Sequence, residues 1–266
     1  MQFETLLYEK SDGIATLTLN RPERHNAFST QMALELHRAW TGIKSDPEVV
    51  CTIVTGAGDK ALCTGMDVAE VASGDTAGRT DEGLDASPFM KLTAIQNRCW
   101  KPVITAVNGM VVGGGLHFVA DSDLILAAEH ATFFDTHVKV GLVAGLEPVG
   151  LARRIPLEAV LRMALLGGSE RLTAEQAREI GLVGEVLPAD RLLPRARELG
   201  GLIAQHSPTA LARSKQAIWE SLDRGLHEGL ARAWEIIAEH AEHPDLQEGA
   251  TAFVEKRRPR WAAYSD

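Results

Sequence analysis

The chain is poor in cysteine, in basic charge and in long apolar runs, and each shortage excludes a class of function. Its three cysteines, Cys51, Cys63 and Cys99, are odd in number and lie at no metal-ligand spacing. They read as reduced thiols of a cytoplasmic protein, not as a disulfide framework or a zinc site. Cys63 has no obvious activating partner and reads as a small apolar filler. Lys and Arg number 27 against 36 Asp and Glu, a formal charge of −9. Such a balance lacks the basic face that nucleic acid requires, and no block of like charge marks a tail. No uninterrupted apolar run reaches the ~18 residues of a membrane span. Asn108, the glycines at 113–115 and His117 break the best candidate. Residues 1–13 carry Glu4 and Glu9 without a basic start and apolar h-region, so no signal peptide is expected.

What is present is ordinary for a soluble domain: 266 residues, 45% of them apolar and 24% charged. That length suffices for one large or two small domains with a core that needs no covalent staples. Alternation over 5–10 and 14–19 around Asp12-Gly13 predicts a hairpin. Ser29 or Thr30 caps a predicted helix with Leu34, Leu36, Trp40 and Ile43 on its apolar face, ending before Pro47. Residues 49–55 read as a buried strand, 68–71 as a short helix, and 72–87 as a mobile loop rich in Gly, Ser, Thr and Asp. Pro88 opens a predicted helix. From Leu151 onward the pattern is helical: 155–166, 173–180 with Thr173 and Gln176 as a capping box, 190–205, 208–222, 226–241 and 244–255.

The stretch from Lys101 to Asp123, KPVITAVNGMVVGGGLHFVAD, organises the rest. Val103–Val107 reads as a buried strand, Asn108-Gly109 as a break, and Gly113, Gly114 and Gly115 as the opening of an apolar helix. Three glycines at a helix start point to backbone approaching something closely, with N–H groups suited to an oxyanion. A phosphate cradle is the rival reading, but neither G-x-G-x-x-G nor G-x-x-x-x-G-K-[ST] is present. Glycines serving tight packing alone are the bland one.

This stretch resembles the central signature of the enoyl-CoA hydratase/isomerase, or crotonase, superfamily. Residues 55–67, TGAGDKALCTGMD, resemble its second motif, and Asn20-Arg21-Pro22 with Asn26-Ala27 and residues 251–257, TAFVEKR, match near the two ends. The resemblance implies an α/β fold. Its core is a crotonase-like spiral of strand-strand-helix units over 1–200, followed over 201–266 by a helical C-terminal region that mediates trimer formation. The assembly implied is a homo-oligomer, either a trimer or a dimer of trimers. It also implies an acyl-CoA thioester as substrate and no separate cofactor. The thioester oxygen would be held by the backbone N–H groups of Met66 and Gly114, and Ala61, Gly65, Met66 and Asp67 would line the coenzyme A path. Preorganised donors stabilise an enolate oxyanion, each typically by ~3 kcal/mol. Asp67 could equally cap the helix that follows it.

The sequence departs from the family at the acid-base positions. Where family hydratases carry two glutamates, ungapped alignment places His117 and His137. Glu147, in the turn 141–148, lies near where some members place an extra acid, and is expected to orient His137. Its other reading is a helix N-terminal charge beside Pro148. Asp135 is a second candidate to orient either imidazole. Metal binding by the two histidines is not expected, because no matched Asp, Glu or Cys completes a ligand set. The leading function is hydration or dehydration of an α,β-unsaturated acyl-CoA. Behind it stand carbon-carbon bond hydrolysis of a β-dicarbonyl compound, double-bond isomerisation, and non-catalytic acyl-CoA or RNA binding. The acidic balance argues against RNA.

Overall fold

The computed structural model describes residues 1–73 and 87–264. The chain opens with a hairpin of β1 (Leu6–Ser11) and β2 (Ile14–Leu19), paired from Leu6 opposite Leu19 to Ser11 opposite Ile14. Asp12 and Gly13 between them have φ of 54° and 78°, as a tight two-residue turn demands. Helix α1 (Thr30–Ser45) starts on Ser29, whose hydroxyl accepts the Met32 N–H. Leu36, Trp40 and Ile43 are buried as the period predicts, whereas Leu34 is 48% exposed. Two residues from Leu36, it falls on the far side of the helix.

The chain then winds through three turns, each giving one strand to each of two sheets. The first is β3 (Cys51–Gly56) and β4 (Ala61–Cys63), followed by α2 (Val68–Ser73). The second is β5 (Val103–Val107) and β6 (Met110–Val112), followed by the glycine turn and α3 (His117–Ala120). The third is β7 (Leu124–Ala128) and β8 (Thr132–Phe134), followed by α4 (Leu146–Leu151). Helix α5 (Leu157–Leu165), β9 (Leu172–Thr173), α6 (Ala174–Glu179), β10 (Glu185–Leu187) and α7 (Ala189–Ile203) come next. The larger sheet runs β1-β2-β3-β5-β7-β10 and the smaller β4-β6-β8-β9. This is the expected spiral of strand-strand-helix units.

The middle of the larger sheet is buried on both faces, which is why β3 and β5 lack a polar face. Ile53, Ile104, Ala106 and Leu126 face Leu192 and Ala196 of α7, while Val54, Val103 and Val107 face the main core with Trp40 and Leu36 of α1. Helices α8 (Pro208–Ser221), α9 (Leu226–His240) and α10 (Pro244–Glu255) complete the chain close to their expected bounds. The Thr173–Gln176 capping box is formed in full. Asp123, just before β7, ties α8 to the sheet: it accepts from Val103 N–H at 2.7 Å and Trp219 Nε1 at 2.8 Å, and pairs with buried Lys215 at 2.7 Å.

Three expectations are corrected. The segment after Pro88 is a single 3-10 turn, Pro88–Met90, followed by turns held by side chains. The apolar stretch after the glycines is a 3-10 turn, Gly113–Leu116, and one α turn, because glycine is a poor helix former. Strands β4, β6, β9 and β10 and helix α4 were not anticipated, being too short to show a period. Most of the stretch read as a mobile loop, residues 74–86, lies outside the described residues. Among the described residues no helix is long and apolar enough to cross a membrane.

Candidate active site

Two glycine turns meet just past the ends of the neighbouring parallel strands β4 and β6 of the smaller sheet. Gly65 has φ of 87° and Gly113 of 52°, backbone conformations that side chains resist. A Cβ on Gly65 would lie 3.0 Å from Gly114 N and 3.1 Å from Val112 O, so glycine is what lets these turns touch. Met66 forms an isolated parallel bridge with Phe28. Phe28 N–H donates to Gly65 O at 2.8 Å, and Phe28 O accepts from Asp67 N–H at 3.0 Å. Those bonds flank Met66, so its own N–H points away from Phe28, on the side of the crossing.

Polar side chains brace the second motif. Asn26 Nδ2 donates to Ala57 O at 3.0 Å and to Ala61 O at 2.8 Å, while its Oδ1 accepts Arg21 N–H at 3.0 Å. Ala61 itself is buried in β4 opposite Met110. Asp67 pairs with Arg21 at 2.9 Å and accepts the Ala69 N–H at 3.1 Å, which caps α2. Burial alone would raise its carboxyl, but Arg21 and the Ala69 N–H outweigh it and hold the group below its ordinary value.

The two histidines flank the glycine turn. His117 begins α3, buried, with Nδ1 3.1 Å from Gln96 Nε2 and 3.9 Å from Asp121 Oδ2, and Nε2 3.4 Å from Glu147 Oε1. His137 lies over Gly113: its Cε1 is 3.5 Å from where a Cβ would stand on that glycine. Its Nδ1 is 3.0 Å from both oxygens of Asp135, and its backbone N–H donates to Asp135 Oδ1 at 2.7 Å. The Asp135 hydrogen bond raises the His137 pKa, burial opposes it, and the charges of Glu147 and Asp135 add to the rise, leaving it above the ordinary histidine value.

The carboxylates are therefore distributed differently from expectation. Asp135, fully buried two residues before His137, orients that ring, while Glu147 faces His117. The reason is packing: Glu147 is in the first turn of α4, which lies against α3 and so brings the carboxylate to the His117 edge.

Sequence reasoning missed Gln96, Thr93 and Asp121. Thr93 Oγ1 donates to Asp121 Oδ2 at 2.7 Å. Burial raises the Asp121 pKa, against the lesser opposing pulls of His117, Thr93 and Arg154. Asp121 stands four residues after His117, a helical neighbour spacing that the sequence does carry. Gln96 has no such signal. Burial pushes the Cys63 thiol up to about 12, so it stays a filler. Among the described residues no group of three or more His, Cys, Asp or Glu side chains is arranged to hold a metal.

Residues 9–264 match the family model described as Enoyl-CoA hydratase/isomerase. The chain belongs to that family. It is 34% identical over 255 residues to the (E)-benzylidenesuccinyl-CoA hydratase of Thauera aromatica, covering 94% of this chain and 96% of that protein. It is 31% identical over 261 residues to the short-chain-enoyl-CoA hydratase of Clostridium acetobutylicum, covering 97% of each. The crystal structure of an enoyl-CoA hydratase/isomerase from Mycobacterium paratuberculosis superimposes with a TM-score of 0.88 at 39% identity, over 99% of this chain and 100% of that one. This member of the enoyl-CoA hydratase/isomerase family thus shares the crotonase fold along its whole described length.

Proposed function

We propose that this chain adds water to, or eliminates it from, an α,β-unsaturated acyl-CoA thioester, with coenzyme A entering as part of the substrate and no separate cofactor. One observation carries the reading: two acid-base pairs, His117–Glu147 and Asp135–His137, flank the turn where Gly114 crosses Gly65-Met66. In the hydration direction a water oxygen bonds to Cβ as Glu147 takes its proton. The π electrons shift onto the thioester oxygen, which accepts from Met66 N–H and Gly114 N–H. The enolate then collapses as Cα takes the proton of His137, whose hold on it Asp135 strengthens. Glu147 returns its proton to His137, and the sum is one water added. Two preorganised amides can lower such a barrier by ~3 kcal/mol each. Ala61, Gly65, Met66 and Asp67 line the coenzyme A path in this reading.

The enzyme is proposed to work in the cytoplasm as a homo-oligomer built from trimers. Turnover of a panel of enoyl-CoA thioesters, followed by loss of the enoyl absorbance and by product mass, tests the activity. A gain of one water supports it, and no turnover of any member sinks it. A second reading, cleavage of a carbon-carbon bond in a β-dicarbonyl thioester by water, is favoured by the His117–Glu147 pair. That pair resembles a base and its orienting carboxylate. The same mass measurement separates the two, since cleavage leaves two fragments.

A further inference from the structure

We propose that Gln96 is a positioning residue that locks His117 in the tautomer with its proton on Nε2, so that His117 presents an N–H toward Glu147 and is not itself the base. The inference rests on the reading in which Glu147 takes the proton of water.

The amide of Gln96 can stand only one way round. Its Oε1 accepts the N–H of Leu92 at 2.8 Å and that of Thr93 at 3.3 Å, so the other end, facing His117 Nδ1 at 3.1 Å, is the NH2 group. Turning the amide over would set NH2 against two backbone N–H groups and orphan both. A donor aimed at Nδ1 requires a lone pair there, and a neutral imidazole with Nδ1 unprotonated carries its hydrogen on Nε2. That nitrogen faces Glu147 Oε1 at 3.4 Å. The other acidic group near the ring, Asp121, is 3.9 Å from Nδ1, beyond hydrogen-bond reach, and is engaged by the Thr93 hydroxyl.

The segment that carries Gln96 is itself held. Trp40 Nε1 donates to Leu92 O at 2.8 Å, and Asn97 Nδ2 donates to Lys91 O at 2.8 Å and Thr93 O at 2.7 Å. Two backbone N–H groups therefore fix the Gln96 amide, whose NH2 faces one side of the His117 ring, while Nε2 on the other side faces the Glu147 carboxylate. At 3.4 Å the ring N–H steers the carboxylate and leaves its lone pairs for a water. His117 thus takes no proton in the cycle; it aims the group that does.

The experiment is 15N-1H correlation of selectively 15N-histidine-labelled intact protein, with His117 assigned by its loss in a His117→Gln sample. The wild type is expected to show His117 Nδ1 unprotonated and Nε2 bearing hydrogen. Gln96→Glu keeps the size and the acceptor for Leu92 and Thr93 but replaces the NH2 with an oxygen, so Nδ1 should become an N–H. On an enoyl-CoA substrate that variant should lose kcat on the order of 10²-fold with KM nearly unchanged. A wild-type ring carrying hydrogen on Nδ1 overturns the lock, and needs no variant to fold. So does a Gln96→Glu protein with full kcat or an unchanged tautomer. A wild type with the expected tautomer that turns over no enoyl-CoA sinks the hydration reading instead, and leaves the lock standing.

Discussion

His137 and Asp135 should govern the pH behaviour of the site. The acid role requires a proton on His137, and its pKa lies above the ordinary ~6.5 because Asp135 holds the ring. The alkaline limb of kcat is therefore expected above that value. Asp135→Asn removes the carboxylate, so the limb should move to lower pH and kcat at pH 8 should fall more than kcat at pH 6. The same shift stabilises the fold. A histidine raised on folding contributes fully below its unfolded value of ~6.5, and the contribution is lost as pH rises through the folded value. A pH-rate profile of the variant decides the matter: a limb that stays where the wild type has it would show that another group titrates.

At the scale of elements, a part-buried ion pair helps to join the spiral to its helical end. Lys215 on α8 is nearly buried and pairs with Asp123, which also holds Val103 N–H at the start of β5 and the indole of Trp219. Asp123→Ala leaves the ammonium without its counter-charge and should cost about 3–5 kcal/mol, whereas Lys215→Met, which removes the charge, should cost less. Urea unfolding of the two variants measures this order, and equal losses would mean that the pair matters only through packing.

For the whole molecule, the proposed assembly can be tested at apolar side chains that the last two helices leave exposed. Trp234, Ile237, Phe253 and Val254 on α9 and α10 are 69%, 58%, 86% and 79% exposed in the single chain. If the proposed trimer forms, these side chains are candidates for its interface. Sedimentation equilibrium at micromolar concentration should give a multiple of three of the 28.8 kDa chain, and Phe253→Asp with Val254→Asp should shift it toward the monomer. A monomeric wild type would count against the assembly.

The sequence by itself determined the layers and most of the elements. The hairpin around Asp12-Gly13, the capped helix from Ser29, the buried strands β3 and β5 and the C-terminal helices follow from local chemistry, in which turn residues, caps and periodicity act over a few neighbours. His117 and His137 were legible as candidates by their positions in ordered motifs, and Asp135 by its closeness in sequence to His137. Tertiary structure alone decided which carboxylate meets which ring. Glu147 reaches His117 because α4 packs on α3, and Gln96 reaches the same ring from a turn clamped by Trp40, although 21 residues separate them in the chain. Strand β10 likewise exists through the free edge that β7 offers it. A hydrogen bond between distant segments leaves no period and no spacing, so a proton's place on an imidazole is settled only when the packing that brings its partners together is complete.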